Sequence, residues 1–246
     1  AGLNSETAII TVTPTFTYDG VSYVGPAKTF TIKVNPNGQV NDVPSQVVCN
    51  GQETAEVVFS TNNTDGETEF NWTNDNTSTG LLELEGTGPI PSFVGTAGTA
   101  PEISTIVVTP TYTNNGKICV GDSFTFTITV NPNGQVNDFD DIIECAGEVI
   151  GPISFDTENT VGDTSYYWTN DNTAIGLAAS GDLDFIPSFT ATAGLNSETA
   201  NITVIPTFTY DGIPCEGLAK TFTITVNPNG QVNDFDDIIE CAGEVI

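Results

Sequence analysis

The chain has 246 residues and a formal net charge of −28, which arises from 32 acidic residues against four lysines, with no arginine or histidine. A charge of this sign excludes nucleic acid and anionic membranes as partners, because almost nothing in the chain can neutralise phosphates. Hydrophobic residues make up 38% of the chain, which is enough for packed cores and excludes a disordered acidic tail.

A period of 96 residues organises the sequence. The octapeptide NPNGQVND occurs at 35–42, 131–138 and 227–234. Residues 125–150 and 221–246 are identical over all 26 positions. A repeat of this length is itself the size of a domain, so the sequence predicts a tandem array of domains.

The repeat register divides the chain into four segments. Residues 1–42 differ from residues 193–234 at only eight positions, so they match the last part of a repeat. We therefore expect the last two strands of an upstream repeat at 1–42, complete repeats at 43–138 and 139–234, and the first strand of a downstream repeat at 235–246. The parent protein is expected to be longer than this sequence.

In chain order, the repeat at 43–138 contains seven segments of strand character. They combine β-branched residues, period-two alternation and turn signals about every ten residues. The predicted strands are 45–50, 55–60, 68–73, 81–85, 91–95, 104–113 and 124–130. Seven short strands of this kind predict an all-β fold of tandem immunoglobulin-like antiparallel β-sandwiches, arranged as an extended rod. Trp72 lies on the third strand, where such a sandwich often buries a tryptophan.

Prolines within the sixth strand and the octapeptide after the seventh strand give two further predictions. Pro14, Pro110 and Pro206 interrupt the sixth strand, which predicts a bulge or a sheet edge there. The octapeptide follows the seventh strand, and its Asn-Pro and Asn-Gly dipeptides are turn signals. The sequence therefore predicts a short, stiff joint between neighbouring repeats of the same chain.

The five cysteines fall into two classes with 96-residue spacing: Cys49, Cys145 and Cys241 in one, Cys119 and Cys215 in the other. We expect bridges within each complete repeat, Cys49–Cys119 and Cys145–Cys215. Cys241 is then left over, since its partner would lie 96 residues beyond Cys215. A Cys119–Cys145 bridge across a joint and buried free thiols are the alternatives. Paired cysteines indicate an oxidising compartment, and the lack of a CxxC motif argues against a metal site at the cysteines.

The chain resembles the PKD-like repeats, on the succession VVCNG, WTNDNT, AIGLAASG, IPSFTAT, ITVIPT, a Cys-x-Gly turn and TFTITVNP. These are immunoglobulin-like modules of very large cell-surface proteins of Gram-negative gliding bacteria. The resemblance implies export through the type IX system, display at the cell surface in association with the outer membrane, and a role in adhesion or gliding. The stretch STGLLELEGTG at 78–88 departs from the pattern, so a shared loop function does not follow.

The densest acidic stretch, NDFDDIIE, lies at the joint at 137–144 and again at 233–240. It supplies hard oxygen ligands of the kind that calcium prefers. The candidate ligands are Asp138, Asp140, Asp141, Asp234, Asp236 and Asp237. The first joint reads NDVPSQVV and keeps only Asp42. A calcium ion at the joint and a solvated acidic turn therefore both remain open, and no other cofactor is expected.

Three function classes fit the sequence, and none of them is enzymatic, because no histidine, arginine or nucleophile–base pair is present. The first is a spacer or stalk segment of a giant extracellular adhesin that supports attachment or gliding. The second is a repeated module that binds polysaccharide or solid surfaces, with Trp72 and Trp168 as conceivable sugar platforms. The third is a subunit of an extracellular filament assembled through edge strands. The joint repeats closely while 43–96 and 139–192 vary, which favours the spacer.

Overall fold

A computed structural model of the chain describes residues 2–239, 241 and 242. Its regular structure is β-strand apart from two single turns of 3-10 helix, Thr77–Thr79 and Thr173–Ile175, so the predicted all-β immunoglobulin-like fold is confirmed. The described residues form two compact units. The first runs up to Asn133 and includes Asn159–Asp163 and Phe208–Cys215. The second comprises Gly134–Glu158, Thr164–Thr207 and the described residues from Glu216 onward.

The segment before the first complete repeat contains four strands where two were predicted: β1 (Glu6–Val12), β2 (Thr15–Tyr18), β3 (Val21–Val24) and β4 (Lys28–Val34). β1 pairs with β4, and β2 pairs with β3, both antiparallel. The predicted interruption of the sixth strand occurs here, because Pro14 separates β1 from β2. In the two complete repeats the equivalent strand instead runs on through its proline.

The repeat at 43–138 is built on one six-stranded sheet. Its strands are β5 (Gln46–Cys49), β6 (Glu67–Asn74), β7 (Glu85–Thr87), β8 (Glu102–Asn114), β9 (Lys117–Val120) and β10 (Phe124–Asn131). The sheet order is β5-β10-β8-β6-β7, and β9 also pairs with β8. The predicted strands at 55–60 and 91–95 form only isolated bridges, Val57 with Ile90 and Glu53 with Val94. The sequence did not predict β9, and the strand predicted at 81–85 overlaps β7 only at Glu85.

The repeat at 139–234 has the same design with a fuller second layer. Its strands are β11 (Ile142–Cys145), β12 (Val149–Ile150), β13 (Ile153–Ser154), β14 (Asp163–Asn170), β15 (Ser180–Gly181), β16 (Phe185–Ile186), β17 (Phe189–Thr190), β18 (Glu198–Tyr210), β19 (Ile213–Glu216) and β20 (Lys220–Asn227). The main sheet runs β11-β20-β18-β14-β15, with β19 on β18. β12 pairs with β17 and β13 with β16, which forms the facing layer.

The strand predicted within 235–246 remains a prediction. Residues 235–239 lie in no strand, and residues 240 and 243–246 fall outside the described residues.

Alternation along the strands creates the core. In β8 every second residue is buried from Ser104 to Tyr112, while the intervening residues remain partly exposed. Because successive side chains of a strand point to opposite faces, this pattern buries one face of the sheet. Trp72 and Trp168 are both buried in the cores of their repeats, which favours a packing role over a sugar platform.

The two tryptophans differ in the partner of the indole N–H. Nε1 of Trp72 donates to the carbonyl oxygen of Gly88 at 3.1 Å. Nε1 of Trp168 is buried with no hydrogen-bond partner. The ladders place Gly86 opposite Trp72 but Gly181 opposite Trp168, a shift of 95 positions and not 96, so the two repeats differ in the segment that holds the acceptor Gly88.

This difference predicts unequal costs for two matched substitutions. Trp72→Phe removes a made hydrogen bond, whereas Trp168→Phe removes an unsatisfied donor and otherwise leaves a similar cavity. We expect Trp72→Phe to cost about 1–2 kcal/mol more than Trp168→Phe. Amide hydrogen exchange in β8 and in β18 measures each repeat separately. Equal losses of protection in the two variants would contradict the prediction.

Candidate functional site: the joint between repeats

Each joint consists of the octapeptide of one repeat and a β-hairpin of the next. The hairpins are β8–β9 and β18–β19, and they turn at Asn115-Gly116 and Asp211-Gly212. All four turn residues have positive φ, between 50° and 73°. Asn-Gly and Asp-Gly suit such a turn because both of its central residues take the left-handed conformation. These dipeptides were the sequence signal that could have predicted β9 and β19.

One side-chain hydrogen bond recurs at both joints. Nδ2 of Asn35 donates to the carbonyl oxygen of Asn114 at 3.0 Å. Ninety-six residues later, Nδ2 of Asn131 donates to the carbonyl oxygen of Tyr210 at 2.9 Å. Each asparagine is the first residue of an octapeptide, and each acceptor is the last residue of the strand that enters the hairpin. The first residue of the motif therefore anchors the hairpin of the next repeat.

A second asparagine bond repeats in the opposite direction. Nδ2 of Asn63 donates to the carbonyl oxygen of Asn37 at 3.2 Å, and Nδ2 of Asn159 donates to that of Asn133 at 3.2 Å. The donor belongs to the following repeat and the acceptor to the octapeptide. The octapeptide therefore both donates hydrogen bonds to the following repeat and accepts them from it.

A backbone bond then fixes the end of the octapeptide. The N–H of Asn41 donates to the carbonyl oxygen of Ser60 at 2.9 Å, and the N–H of Asn137 donates to that of Asp156 at 3.0 Å. Just before it, Val136 is buried in the core of the repeat that follows. The octapeptide thus contributes a core residue to that repeat and is more than the turn predicted from its sequence.

The glycine of the octapeptide lies close against the backbone of the following repeat. A Cβ on Gly38 would overlap the carbonyl oxygen of Pro110, and the N–H of Gly121 donates to that same oxygen at 2.9 Å. A Cβ on Gly134 would lie 2.5 Å from the carbonyl oxygen of Pro206. Only glycine permits this approach at both joints.

The second joint also carries a disulfide bond, which joins Cys49 to Cys215 with a Cα–Cα distance of 5.6 Å. Cys49 ends β5, and Cys215 lies on β19, in the hairpin of the following repeat. The two cysteines are 8% and 1% exposed. The predicted bridges Cys49–Cys119 and Cys145–Cys215 are therefore wrong, since the bridge crosses from one repeat to the next. It is also not the alternative Cys119–Cys145 pair.

The sheet explains why a bridge within one repeat is excluded. Cys49 lies at the end of the sheet where β8 begins, at Glu102, whereas Cys119 pairs with Tyr112 near the other end of β8. These ends are roughly 30 Å apart at about 3.3 Å per residue. A disulfide needs Cα atoms within about 7 Å of each other.

Two of the six candidate calcium ligands have other partners. Oδ1 of Asp138 accepts a 2.6 Å bond from Nζ of Lys220, and Oδ1 of Asp141 accepts a 2.7 Å bond from the N–H of Thr223. The residue 96 positions before Asp141 is Ser45. It makes the equivalent bond, because its Oγ accepts from the N–H of Thr127 at 3.1 Å.

The equivalence of Ser45 and Asp141 gives a reason why the first joint needs no aspartate at position 45. A hydroxyl oxygen serves there as the hydrogen-bond acceptor in place of a carboxylate. Asp140, Asp234, Asp236 and Asp237 are all exposed. In the part of the chain that the structure describes, no three His, Cys, Asp or Glu side chains are grouped as metal ligands. Calcium at the joint remains a prediction.

Comparison with known proteins gives likenesses of fold. No family model matches the chain, and no curated protein matches it. Among solved structures it is similar to mouse cadherin-23 EC22-24, at 13% identity and TM-score 0.39, covering 90% of this chain and 74% of that chain. It is also similar to Drosophila N-cadherin EC1-4, at 10% identity and TM-score 0.40, covering 85% and 54%. A third is a SusE-like surface located polysaccharide binding protein from Bacteroides thetaiotaomicron, at 12% identity and TM-score 0.29, covering 81% and 36%.

Over the described residues, no helix has the length and apolar character needed to cross a membrane.

The octapeptide glycines predict a matched pair of variants. Gly38→Ala places a Cβ against the backbone of Pro110, whereas Gly230→Ala, at the same position of the third octapeptide, meets nothing within 4 Å. We expect Gly38→Ala to destabilise the first unit by about 1–3 kcal/mol, because backbone must move to make room. Gly230→Ala should leave the stability within about 0.5 kcal/mol. Chemical denaturation measures both, and equal effects would contradict the assignment.

Two carboxylates predict a dependence of stability on pH. The backbone N–H of Thr223, followed by its side chain, lowers the pKa of Asp141 below 3.8. The side-chain amide of Asn201, followed by its N–H, lowers the pKa of Asp171 in the same way. A pKa that is lowered in the folded state stabilises the fold above the unfolded-state value, and this stabilisation is lost as the pH falls through the folded-state pKa.

We therefore expect both carboxyl groups to titrate below 3.8 in a carbon-detected NMR titration, and part of the stability to be lost below that pH. Asp141→Asn and Asp171→Asn assign the two resonances. Midpoints at or above 3.8 would show that these hydrogen bonds do not form in solution.

Proposed function

We propose that the chain is a spacer segment of a large extracellular surface protein, in which neighbouring repeats are held together at well-defined joints. One observation supports this above all: the octapeptide that recurs three times supplies the groups that make the joint. Its first asparagine, its glycine and its penultimate asparagine make equivalent contacts at both joints. The chain therefore repeats most faithfully the residues that connect one repeat to the next.

Chemistry supports an extracellular setting for this spacer. A disulfide between repeats suits an oxidising compartment, because cytosolic thiols are kept reduced. The net charge of −28 favours high solubility. The role is non-enzymatic, since the sequence has no histidine or arginine and its acidic residues form no catalytic constellation.

The bacterial source, the export route and the role in gliding rest on the resemblance to PKD-like repeats. It favours an adhesin of gliding bacteria that is exported by the type IX system and supports attachment or gliding. Within this proposal the repeats carry and position ligand-binding regions that lie elsewhere in the protein.

The proposal is tested by changing the number of repeats. A protein with a second copy of residues 43–138 inserted after Asp138 should gain roughly 40 Å in maximum dimension. The longest strand has 13 residues at about 3.3 Å per residue, which sets this increment. Small-angle X-ray scattering measures it, and the natural chain without the added repeat serves as the control. An unchanged maximum dimension would contradict the spacer role.

A glycan array tests the competing class with the same proteins. A spacer gives no saturable binding to any polysaccharide. Saturable binding that increases with the number of repeats would replace the spacer with a repeated polysaccharide-binding module.

A further inference from the structure

We propose that the Cys49–Cys215 bridge is a tension bypass, a covalent link that carries a pulling force past residues 50–214, which include most of the core of both complete repeats. The inference rests on the proposed spacer role, in which force acts along the chain. It concerns which residues bear that force, a property that neither the fold class nor the repeat pattern specifies.

The covalent topology is the first step. The bridge joins two residues that are 166 positions apart. Residues 50–214 therefore lie inside a closed covalent loop that contains β6 to β18 entirely, with both buried tryptophans. A force applied to the two chain ends passes from Cys49 through the sulfur atoms to Cys215. It cannot extend the residues inside the loop while the bridge is closed.

The surroundings of the bridge suit a permanent link. Cys49 and Cys215 are buried, so a reductant cannot reach the sulfur atoms until the joint opens. Beside the bridge, Nδ2 of Asn131 donates to the carbonyl oxygen of Tyr210, and the N–H of Asn50 donates to that of Asn131 at 2.7 Å. These bonds hold both the strand end and the hairpin at the place where the force would cross.

The cysteines of the two repeats occupy equivalent positions in their strands. Cys145 pairs with Asn227 in the β11–β20 ladder just as Cys49 pairs with Asn131 in the β5–β10 ladder. Cys119 occupies on β9 the position that Cys215 occupies on β19. In an array with further repeats, the same rule joins each cysteine of the first class to the cysteine of the second class 166 positions later.

This rule identifies the stretch left outside the loops. Between a bridge that ends at Cys215 and one that begins at Cys241, the force passes along the chain itself. That stretch contains β20 and the octapeptide, and from residue 221 onward it falls within the 26 residues that are identical to 125–150. β20 pairs with β11 on one side and β18 on the other, so ladders on both sides resist its extraction. Most of the stretch that carries the force is thus the part that the chain repeats without change.

Single-molecule force spectroscopy tests the bypass on this chain. The chain is held by peptide tags at its two termini, because a cysteine attachment would compete with the thiols. With the bridge closed, only residues before Cys49 and after Cys215 should extend. After dithiothreitol has opened the bridge and become a cyclic disulfide itself, the final extended length should increase by roughly 550–600 Å, the length of 166 residues at 3.3–3.6 Å each.

Two variants separate the bridge from other thiols. Cys49→Ser with Cys215→Ser should show the longer extension without reductant. Cys119→Ser with Cys145→Ser, the matched control, should keep the short extension of the oxidised chain. Peptide mapping of the unreduced chain should find Cys49 joined to Cys215.

Equal extended lengths before and after reduction would overturn the bypass, and so would a mapped peptide that joins Cys49 to Cys119. If the double variant fails to fold, the comparison of the oxidised and reduced natural chain still decides. Polysaccharide binding, or an added repeat that brings no increase in length, would overturn the spacer role and leave this length difference unchanged.

Discussion

The hydrogen bond from the Asn131 side chain to the carbonyl oxygen of Tyr210 is the contact on which the second joint depends. Asn131 is the last residue of β10, which pairs with β5 on one side and β8 on the other. Its position is therefore fixed by the sheet of its own repeat. Because the side chain donates outward from this fixed point, the sheet of one repeat determines where the next hairpin is held. The close glycine approach and the buried valine of the octapeptide follow from that placement.

The bridge and the hydrogen bonds stabilise the joints on different scales. In the chain-entropy model, closing a loop of 166 residues contributes about 5 kcal/mol. Each hydrogen bond contributes about 0.5–1.5 kcal/mol net. The second joint is consequently dominated by a covalent link. The first joint has the equivalent Asn35 contact, so this hydrogen bond is common to both joints.

The acidic composition also has a structural use. Asp141 and Asp171 each accept a hydrogen bond from a backbone N–H of a neighbouring strand, at Thr223 and Asn201. One repeat earlier, Ser45 accepts the equivalent hydrogen bond in place of Asp141. Such positions need an acceptor oxygen rather than a charge, so the number of carboxylates can change from repeat to repeat without changing the joint.

The sequence by itself determined the 96-residue period, the all-β class, most strands of the main sheet and the burial of Trp72 and Trp168. These follow from local alternation and from literal repetition, which need no knowledge of distant contacts. It also contained the Asn-Gly and Asp-Gly turns of the joint hairpins, although the strands after them were not predicted.

Only the tertiary structure decided that Cys49 and Cys215 are partners. Spacing in the chain does not say which end of a sheet a residue occupies, and Cys49 and Cys119 lie at opposite ends of the same one. The hairpin of the next repeat brings Cys215 to Cys49 because the octapeptide holds that hairpin against the end of β10. For the same reason, the sequence did not predict that Val136 is buried in the core of the next repeat. A residue that follows one repeat in sequence becomes part of the core of the next only when both are folded.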